Sequence, residues 1–337
     1  ARPRMRCLLV MSGAVMVHGV AASRAYHIGT PGRAWGRDEV TKWRAQFETP
    51  KRSYQEEVRT KIEALSGEFE VVKYGALPCN PERYPLFSLR TRAWDAAKPC
   101  VLVTGGVHGY ETSGVQGALR FLETEAARFA AHFNILVVPC VSPWGYEHIQ
   151  RWNIDAIDPN RSFKADGQAE EAQALRRHLK ALGVQAWLCH VDLHETTDTD
   201  ETEFRPAKAA RDGEESAPDS IPDGFYLVGD LHNQKNAWYE AVLKEVGKVT
   251  HIAPADEKGN IIGEKVVQPG VILLDAPQLG LCAGTTGASY ATTTEVYPDS
   301  PSATDEQCNA AQVAAVVGAL ESIMAMEGIG VMQKQEL

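Results

Sequence analysis

The chain alternates between short apolar runs and longer segments with helical spacing, and this alternation is what most limits its fold. Strand-like runs lie near residues 69–74, 86–89, 100–104, 133–139, 186–193, 225–229, 271–274 and 292–296. Helical patterns separate most of these runs, and strands that alternate with helices build a sheet covered on both faces. The sequence therefore predicts an α/β fold: a mixed, largely parallel twisted sheet with helices on both faces.

Composition and charge narrow the classes of partner. The chain has 337 residues, of which 44% are hydrophobic and 23% charged, as is typical of a globular protein with a full core. Its formal net charge of −10 argues against nucleic acid and against anionic membrane surfaces. Beyond the first twenty-odd residues there is no uncharged apolar span of membrane-crossing length. We expect neither nucleic acid nor a membrane as partner, and composition leaves the oligomeric state open.

Residues 1–25 differ from the rest, and their sequence predicts a leader-like or disordered segment. Arg2, Arg4 and Arg6 precede an apolar stretch, and small residues follow at 20–22. This layout fits a secretory signal peptide, an organellar transit segment, or upstream residues with no role. The seven cysteines include no C-x-x-C pair and favour a reducing compartment. We therefore expect a cytoplasmic protein, or a secreted, periplasmic or organellar one if residues 1–25 are a cleaved leader.

The remaining chain divides into two predicted parts. Residues 26–67 read as an N-terminal helical extension, and residues 68–330 as the main catalytic domain. Within that domain, residues 198–224 are rich in Asp, Glu, Pro and Gly and lack apolar periodicity. Such a segment predicts a long surface loop inserted near 198–224.

Two histidines and a glutamate follow buried strands. The run that starts at Cys100 breaks at two glycines and delivers His108 and Glu111 on one turn. His194 ends the apolar run that starts at Ala186, and it is the best candidate for a third ligand. Two imidazoles, one carboxylate and an open position for water make a hydrolytic zinc site. His190 lies inside its strand, where a hydrogen-bonded core histidine is the better interpretation.

Further polar motifs follow in a particular order. They are H-x-x-E at 108–111, P-x-G-Y at 143–146, Arg151, D-x-N-R at 158–161, the histidine at a strand end and a late T-x-E that ends at 295. Together they resemble the carboxypeptidase A-like zinc carboxypeptidases, with cytosolic carboxypeptidases and succinylglutamate desuccinylases as related groups. The resemblance covers roughly residues 68–325. No single motif is specific, but their order is.

The resemblance implies one zinc ion held by His108, Glu111 and His194. Asp158 would match the acidic residue that hydrogen-bonds a ligand histidine and fixes its tautomer. Glu295 would be the general base that takes a proton from water and passes it to the leaving amine.

The resemblance also implies how a substrate is held. Asn160 and Arg161 would grip its terminal carboxylate, and Arg151 would stabilise the oxyanion formed at the carbonyl. Two departures limit the comparison. Residues 271–277 lack the tyrosine that digestive members have there, and residues 279–284 carry no charge. No side-chain preference can therefore be carried over.

Simpler interpretations compete for several of these residues. Asp158 and Asn160 could cap a turn that leaves Arg161 in solvent. Arg151 could stack on Trp152 at the surface, and a carboxylate on a Thr-rich strand such as Glu295 could point outward. The residues alone do not choose between these alternatives.

The favoured function is a zinc metallocarboxypeptidase that removes C-terminal residues from peptides. The alternative is a zinc-dependent deacylase of N-acyl amino acids, similar to succinylglutamate desuccinylase and aspartoacylase, which uses the same zinc and base. Chain length favours the peptidase, because those deacylases resemble only a shorter core. A catalytically silent binding module on this scaffold is the third possibility, and the full set of metal ligands and base argues against it. The expected partner is a peptide or small amide with a free carboxylate.

Overall fold

An eight-stranded sheet forms the centre of the computed structural model, which describes residues 26–216 and 220–330. The strand order is β1-β2-β4-β3-β5-β10-β6-β9, and β7 and β8 form a separate hairpin. The strands are β1 Phe69–Ala76, β2 Pro85–Thr91, β3 Cys100–Gly105, β4 Asn134–Val138, β5 Trp187–Glu195, β6 Tyr226–Asp230, β7 Asn260–Ile261, β8 Glu264–Lys265, β9 Val271–Leu274 and β10 Tyr290–Val296.

The middle of this sheet is parallel and its margins are mixed. β4, β3, β5 and β10 pair in parallel, as do β6 and β9. The β1–β2, β2–β4 and β6–β10 pairs are antiparallel. The prediction of a mixed, largely parallel sheet is confirmed.

Helices cover both faces of the sheet. They are α1 Arg37–Ala45, α2 Thr60–Ala64, α3 Thr112–Thr124, α4 Ala126–Phe129, α5 Pro143–His148, α6 Glu170–Ala181, α7 Arg205–Asp212, α8 Asn236–Val246, α9 Ala276–Leu279 and α10 Asp305–Glu327. Val101 and Val103 of β3 pack in the core that contains α3, α8 and α10, whereas Leu102 packs in a second core with α6. Successive residues of a strand point to opposite faces, so β3 is buried on both sides and reads as a continuous apolar run.

The N-terminal extension packs on the main domain. It contains α1, a π-helical turn Gln55–Arg59 and α2, and its Trp43, Tyr54 and Ile62 are buried in the larger core. Ser53 Oγ accepts a hydrogen bond from the backbone N–H of Glu56, as expected of a cap. The helical character predicted for this extension is therefore present, while its boundary near residue 68 stays a prediction. The leader-like segment 1–25 lies outside the described residues.

The predicted loop near 198–224 is wrong for its first half. A π-helical turn, Asp200–Phe204, continues into α7, and Asp200, Ala207 and Ala209 are buried. The buried side chains of α7 are alanines, which make a weak apolar pattern, but alanine, lysine and arginine are strong helix formers, so helix propensity favours this segment. Residues 217–219 lie outside the described part.

The last helix of the described chain combines length with apolar character. By these two properties α10 could cross a membrane, but half of its most apolar window is buried. It packs against α3, α8 and the sheet, and Ala311, Val316 and Leu320 are in the larger core. These contacts are those of a core helix.

A buried carboxyl group lies in the first turn of α6. Glu171 is 2% exposed, and it accepts a weak hydrogen bond from Asn153 Nδ2 at 3.3 Å. Ser142 Oγ lies 3.4 Å away, but its proton goes to the backbone carbonyl of Val107 at 2.7 Å. Burial raises the pKa of Glu171 to about 7, above its ordinary value of 4.5. The folded protein therefore holds this proton more tightly than the unfolded chain does.

We expect Glu171→Gln to remove a loss of stability at alkaline pH. In the wild type, the contribution of Glu171 is fully present below pH 4.5 and is lost as the pH rises through about 7. The full shift is worth roughly 3 kcal/mol at 1.36 kcal/mol per pKa unit. Urea unfolding with a chelator present should show Glu171→Gln close to wild type at pH 5 and more stable at pH 8. Exposed Glu170→Gln is the control, and an equal effect of Glu171→Gln at both pH values would contradict the prediction.

Candidate metal centre

Three parallel strands deliver the candidate site residues to one edge of the sheet. β3 ends three residues before His108, and β5 ends with His194 and Glu195. Glu295 is the second-last residue of β10. In the parallel register Glu295 pairs with His194. Because neighbouring parallel strands end at the same edge, side chains that are far apart in sequence meet there.

The turn after β3 depends on two glycines. Gly106 has a φ of +61°, a conformation that favours glycine. A Cβ on Gly109 would lie 2.1 Å from the backbone of Gly145 and Tyr146. The turn therefore lies directly against the P-x-G-Y helix, α5. Arg52 of the N-terminal extension donates hydrogen bonds to the backbone carbonyls of Gly109 and Tyr146 at 2.7 and 2.6 Å.

His108, Glu111 and His194 bring their ligand atoms together. The Nδ1 atom of His108 lies 2.7 Å from Glu111 Oε1, and His194 Nδ1 lies 2.7 Å from Glu111 Oε2. All three side chains are at most 2% exposed, and one ligand atom from each lies within 4.8 Å of the others. Two imidazole nitrogens and a carboxylate are a suitable ligand set for a divalent metal ion.

The contacts of Glu111 indicate that this set fits a metal ion. Among the residues that the structure describes, its buried Oε2 has no hydrogen-bond partner, although His194 Nδ1 is 2.7 Å away, so the pair lacks hydrogen-bond geometry. Burial alone would raise the pKa of Glu111, but the two histidines lower it to about 2. Glu111 is thus an ionised carboxylate whose second oxygen has no hydrogen-bond donor. A cation bound among the three side chains would satisfy it.

Each candidate ligand histidine has a carboxylate behind it. His108 Nε2 lies 3.0 Å from Asp158 Oδ1, and His194 Nε2 lies 2.9 Å from Asp192 Oδ2. A carboxylate at Nε2 keeps the proton on that nitrogen and leaves the Nδ1 lone pair for a metal. Asp158 also accepts a hydrogen bond from the backbone N–H of Asn160, so it caps the turn as well. The two interpretations of Asp158 are therefore compatible.

Arg151 is held by ion pairs beside the three ligands. It donates to Asp158 Oδ2 at 3.3 Å and to Asp200 Oδ1 at 3.1 Å, and Nη1 lies 4.0 Å from Glu111. Arg211, not Arg151, stacks on Trp152, with its guanidinium carbon 4.4 Å from the ring centroid. The arginine of the sequence motif therefore faces the candidate site.

Asn160 and Arg161 form a short 3₁₀ turn next to the ligands. Asn160 is buried; its Oδ1 accepts a hydrogen bond from the backbone N–H of Cys282 at 2.8 Å, and its Nδ2 lies 3.5 Å from His194 Nε2. Arg161 is exposed and donates to the backbone carbonyl of Asn160. Both line the same cleft as His108 and Glu111. Substrate binding by this pair stays a prediction.

Glu295 lies beside the ligand cluster, on the strand next to His194, and is not part of that cluster. Its Oε2 accepts a hydrogen bond from Thr196 Oγ1 at 2.8 Å. Desolvation, opposed by His194 and reinforced by Glu111, raises the pKa of Glu295 to about 8. A bound cation would lower this pKa by attraction. The carboxyl group is thus partly desolvated and close to the candidate ligands, and a bound cation that lowers its pKa would leave it ionised, as a general base must be.

The cleft that contains these side chains has a volume of about 850 Å³. Its wall carries His108, Glu111, Arg151 and Glu295 at the sheet edge, and apolar side chains such as Leu281 further out. Predicted site residues from the ends of β3 and β10, together with Arg151, therefore open onto one cavity, and the end of β5 contributes Glu195 to its wall.

Three residues of this site were absent from the sequence prediction. Asp192 could have been found, because it lies two residues before His194 and strand side chains alternate between faces. Asp200 and Tyr110 left no such signal; the Tyr110 hydroxyl donates to Asp200 at 2.8 Å across 90 residues of sequence. Their pairing depends on the helical turn that replaces the predicted loop.

We expect the purified protein to bind about one equivalent of a divalent metal, as sites with three protein ligands do. His194→Ala should abolish binding, because it removes one of the three ligands. Metal analysis after dialysis against trace zinc is the measurement. His232→Ala is the control, since that exposed histidine also pairs with a carboxylate, Asp275. Full metal content in His194→Ala would remove His194 from the ligand set.

Solved structures share this fold. A candidate metallopeptidase from Shewanella amazonensis aligns with a TM-score of 0.58 at 20% identity, over 78% of this chain and 90% of that chain. A metallo-carboxypeptidase from Burkholderia cenocepacia aligns with a TM-score of 0.52 at 15% identity, over 79% of this chain and 68% of that chain. A metallo-carboxypeptidase from Pseudomonas aeruginosa aligns with a TM-score of 0.52 at 16% identity, over 80% of this chain and 68% of that chain. That structure is a complex with (2-guanidinoethylmercapto)succinic acid. At such identities the likeness confirms the carboxypeptidase-like fold alone.

Family comparison gives a broader assignment. None of the curated proteins matches this chain. The sequence profile described as "Protein of unknown function (DUF2817)" matches residues 81–253, just over half of the chain. This range includes all three candidate metal ligands, together with Arg151 and Asp158, and it ends before Glu295. The chain therefore belongs to the DUF2817 family.

Proposed function

We propose that this protein is a zinc-dependent metallocarboxypeptidase that removes C-terminal residues from peptides. The observation that carries the proposal is the arrangement at the sheet edge. His108, Glu111 and His194 form a three-ligand cluster, and Glu295 stands beside it without being one of the ligands. A hydrolytic metal site needs this division between ligands and base. The fold shared with metallo-carboxypeptidases supports the same conclusion.

Zinc is the metal that best suits these ligands, because it accepts nitrogen and oxygen donors in a site with an open position. When bound, zinc supplies Lewis acidity, which acidifies water and polarises a carbonyl group. Asp158 and Asp192 hold the protons on the outer nitrogens of His108 and His194. The two imidazoles are then neutral donors at Nδ1, as a metal requires.

Glu295 moves the proton in the proposed reaction. Its carboxylate takes a proton from the attacking water and donates it to the nitrogen of the leaving amine. The partial desolvation that raises its pKa makes it a stronger base than an exposed carboxylate. Thr196 orients it through the hydrogen bond to Oε2.

Arg151 and Arg161 would bind the two negatively charged groups of the substrate, the oxyanion and the terminal carboxylate. Arg151 donates to Asp158 and Asp200 through Nε and Nη1, so the hydrogens of its third nitrogen remain for the oxyanion at the substrate carbonyl. Arg161 lies on the exposed side of the cleft, where its planar guanidinium would pair with the terminal carboxylate of a peptide. Asn160 is already bonded to Cys282 and orients this turn.

Glu295→Gln should lower turnover by roughly 10²–10⁴-fold, the usual contribution of a general base. The amide keeps the shape of the side chain but cannot accept the proton of water. Zinc content and substrate affinity should be unchanged, as measured by metal analysis and inhibitor binding. Asp166→Asn, which changes another acidic residue of the cleft wall, is the control. Near-normal turnover in Glu295→Gln would shift the role of base to Glu195, the carboxylate next to His194.

A pair of peptides that differ only in a free or amidated C-terminus tests the carboxylate grip. The wild type should cleave the free acid and leave the amide intact. Arg161→Gln should slow cleavage of the free acid by about tenfold to a hundredfold, the value of a hydrogen bond between charged groups. Arg211→Gln, which changes another arginine of the cleft, is the control and should cleave the free acid at the wild-type rate.

The same assay separates the alternative function. Release of acyl groups from N-acyl amino acids, without truncation of any peptide, would replace the carboxypeptidase by a deacylase. Equal cleavage of free and amidated peptides would point to an endopeptidase.

A further inference from the structure

A buried polar cluster lies behind the metal ligands, outside the cleft wall. Thr104 of β3, His190 and Asp192 of β5, and Cys282 are each 0% exposed. The predicted role of His190 as a hydrogen-bonded core histidine agrees with this position. A sheet interior has a low dielectric, where polar groups are retained only if they are paired. The hydrogen-bond partners of these four side chains therefore indicate their role.

The hydrogen bonds of the cluster run in one direction. The Thr104 hydroxyl donates to Asp192 Oδ1 at 2.6 Å, and His190 Nε2 lies 3.0 Å from the same hydroxyl oxygen. A hydroxyl has one proton, and here it goes to the carboxylate. The other ring nitrogen of His190, Nδ1, lies 3.3 Å from the Thr286 hydroxyl and can accept its proton. In that tautomer His190 Nε2 is the donor to Thr104. The other oxygen of Asp192 faces His194 Nε2 at 2.9 Å. The chain His190–Thr104–Asp192 thus ends at a candidate metal ligand.

We propose that Thr104 and His190 are positioning residues that set the metal affinity of the site through Asp192. With Oδ1 fixed by Thr104, the carboxylate of Asp192 presents Oδ2 to His194. His194 then carries its proton on Nε2 and directs the Nδ1 lone pair towards the metal. This inference rests on the metal site of the proposed function but not on its substrate.

The geometry argues against a second metal ion in this cluster. Ligand atoms of His190, Asp192 and Cys282 lie within 4.8 Å of one another, which is close enough for an ion. However, the Thr104 hydroxyl lies among them, 2.6 Å from Asp192, 3.0 Å from His190 and 3.6 Å from Cys282 Sγ. The hydroxyl occupies the space in which an ion would bind, so the cluster serves the first site.

Zn²⁺ affinity, measured by competition with a chromophoric chelator, tests the proposal without any activity assay. Thr104→Val keeps the shape of the side chain and removes the hydroxyl. It should weaken Zn²⁺ binding about tenfold, the lower end of the effect of groups behind a metal ligand. Thr104→Ser should restore most of the affinity. Thr292→Val, which removes another buried hydroxyl, bonded to the backbone carbonyl of Val228, should bind Zn²⁺ like the wild type.

A double-mutant cycle distinguishes positioning from general destabilisation. In Asp192→Asn the connection to His194 is already altered, so adding Thr104→Val should weaken Zn²⁺ binding little further. Additive losses in the double mutant, or wild-type affinity in Thr104→Val, would overturn the proposal. A cobalt titration that gives two equivalents in the wild type and one in Thr104→Val would overturn it in favour of a second metal site.

A second pair of variants decides the matter if Thr104→Val does not fold. His190→Asn lacks a donor at the position of Nε2, whereas the longer His190→Gln places an amide nitrogen there. Weaker Zn²⁺ binding in His190→Asn than in His190→Gln supports the proposal, and equal binding in the two overturns it. A wild type that binds Zn²⁺ but cleaves no peptide would contradict the proposed function alone. A wild type that binds no Zn²⁺ would contradict both.

Discussion

Parallel pairing of β3, β5 and β10 is the constraint on which the rest of the site depends. These strands contribute the turn with His108 and Glu111, the candidate ligand His194 and the proposed base Glu295. In an antiparallel arrangement, alternate strands would end at opposite edges of the sheet and these groups would be separated. β5 is buried on both faces: Val191 and Leu193 lie in the larger core, while His190 and Asp192 support the metal site. The same strand therefore stabilises the fold and positions its chemistry.

Negative charge dominates the buried part of this edge, and it is compensated in two ways. Arg151 is ion-paired to Asp158 and Asp200, so that side of the site is balanced by the protein itself. The other side contains Glu111, which lies between two histidines and whose Oε2 has no hydrogen-bond partner in the described part of the chain. Protonated imidazoles would balance it, but a metal ion does so while leaving the histidines neutral. The electrostatics of the fold thus favour a bound cation at the position where hydrolysis needs one.

Sequence patterns located the candidate site residues where these residues lie near the ends of regular elements. His108 and Glu111 follow β3, and His194 and Glu295 lie near the ends of β5 and β10, so their meeting at one edge follows from topology. Asp192 was overlooked because a buried carboxylate inside a strand reads as an interruption of that strand, although its spacing from His194 was informative. The Tyr110–Asp200–Arg151 contacts could not be predicted, because they need a helical turn that only tertiary packing stabilises. The local sequence pattern predicts the strands and helices, whereas contacts between residues far apart in sequence determine which side chains meet at their ends.

The N-terminal extension also makes a long-range contact with the candidate site that its sequence does not predict. Sequence alone separates residues 26–67 from the catalytic domain, yet Arg52 donates to the carbonyl of Gly109, inside the turn that carries His108 and Glu111. Its guanidinium also lies 3.5 Å from the centre of the Tyr146 ring and bonds the carbonyl of the same residue. The close approach of Gly109 to Gly145 is thereby held from outside by a third segment. Because ligand atoms must stay within a few tenths of an ångström of their positions to bind a metal well, this extension contributes directly to the geometry of the centre.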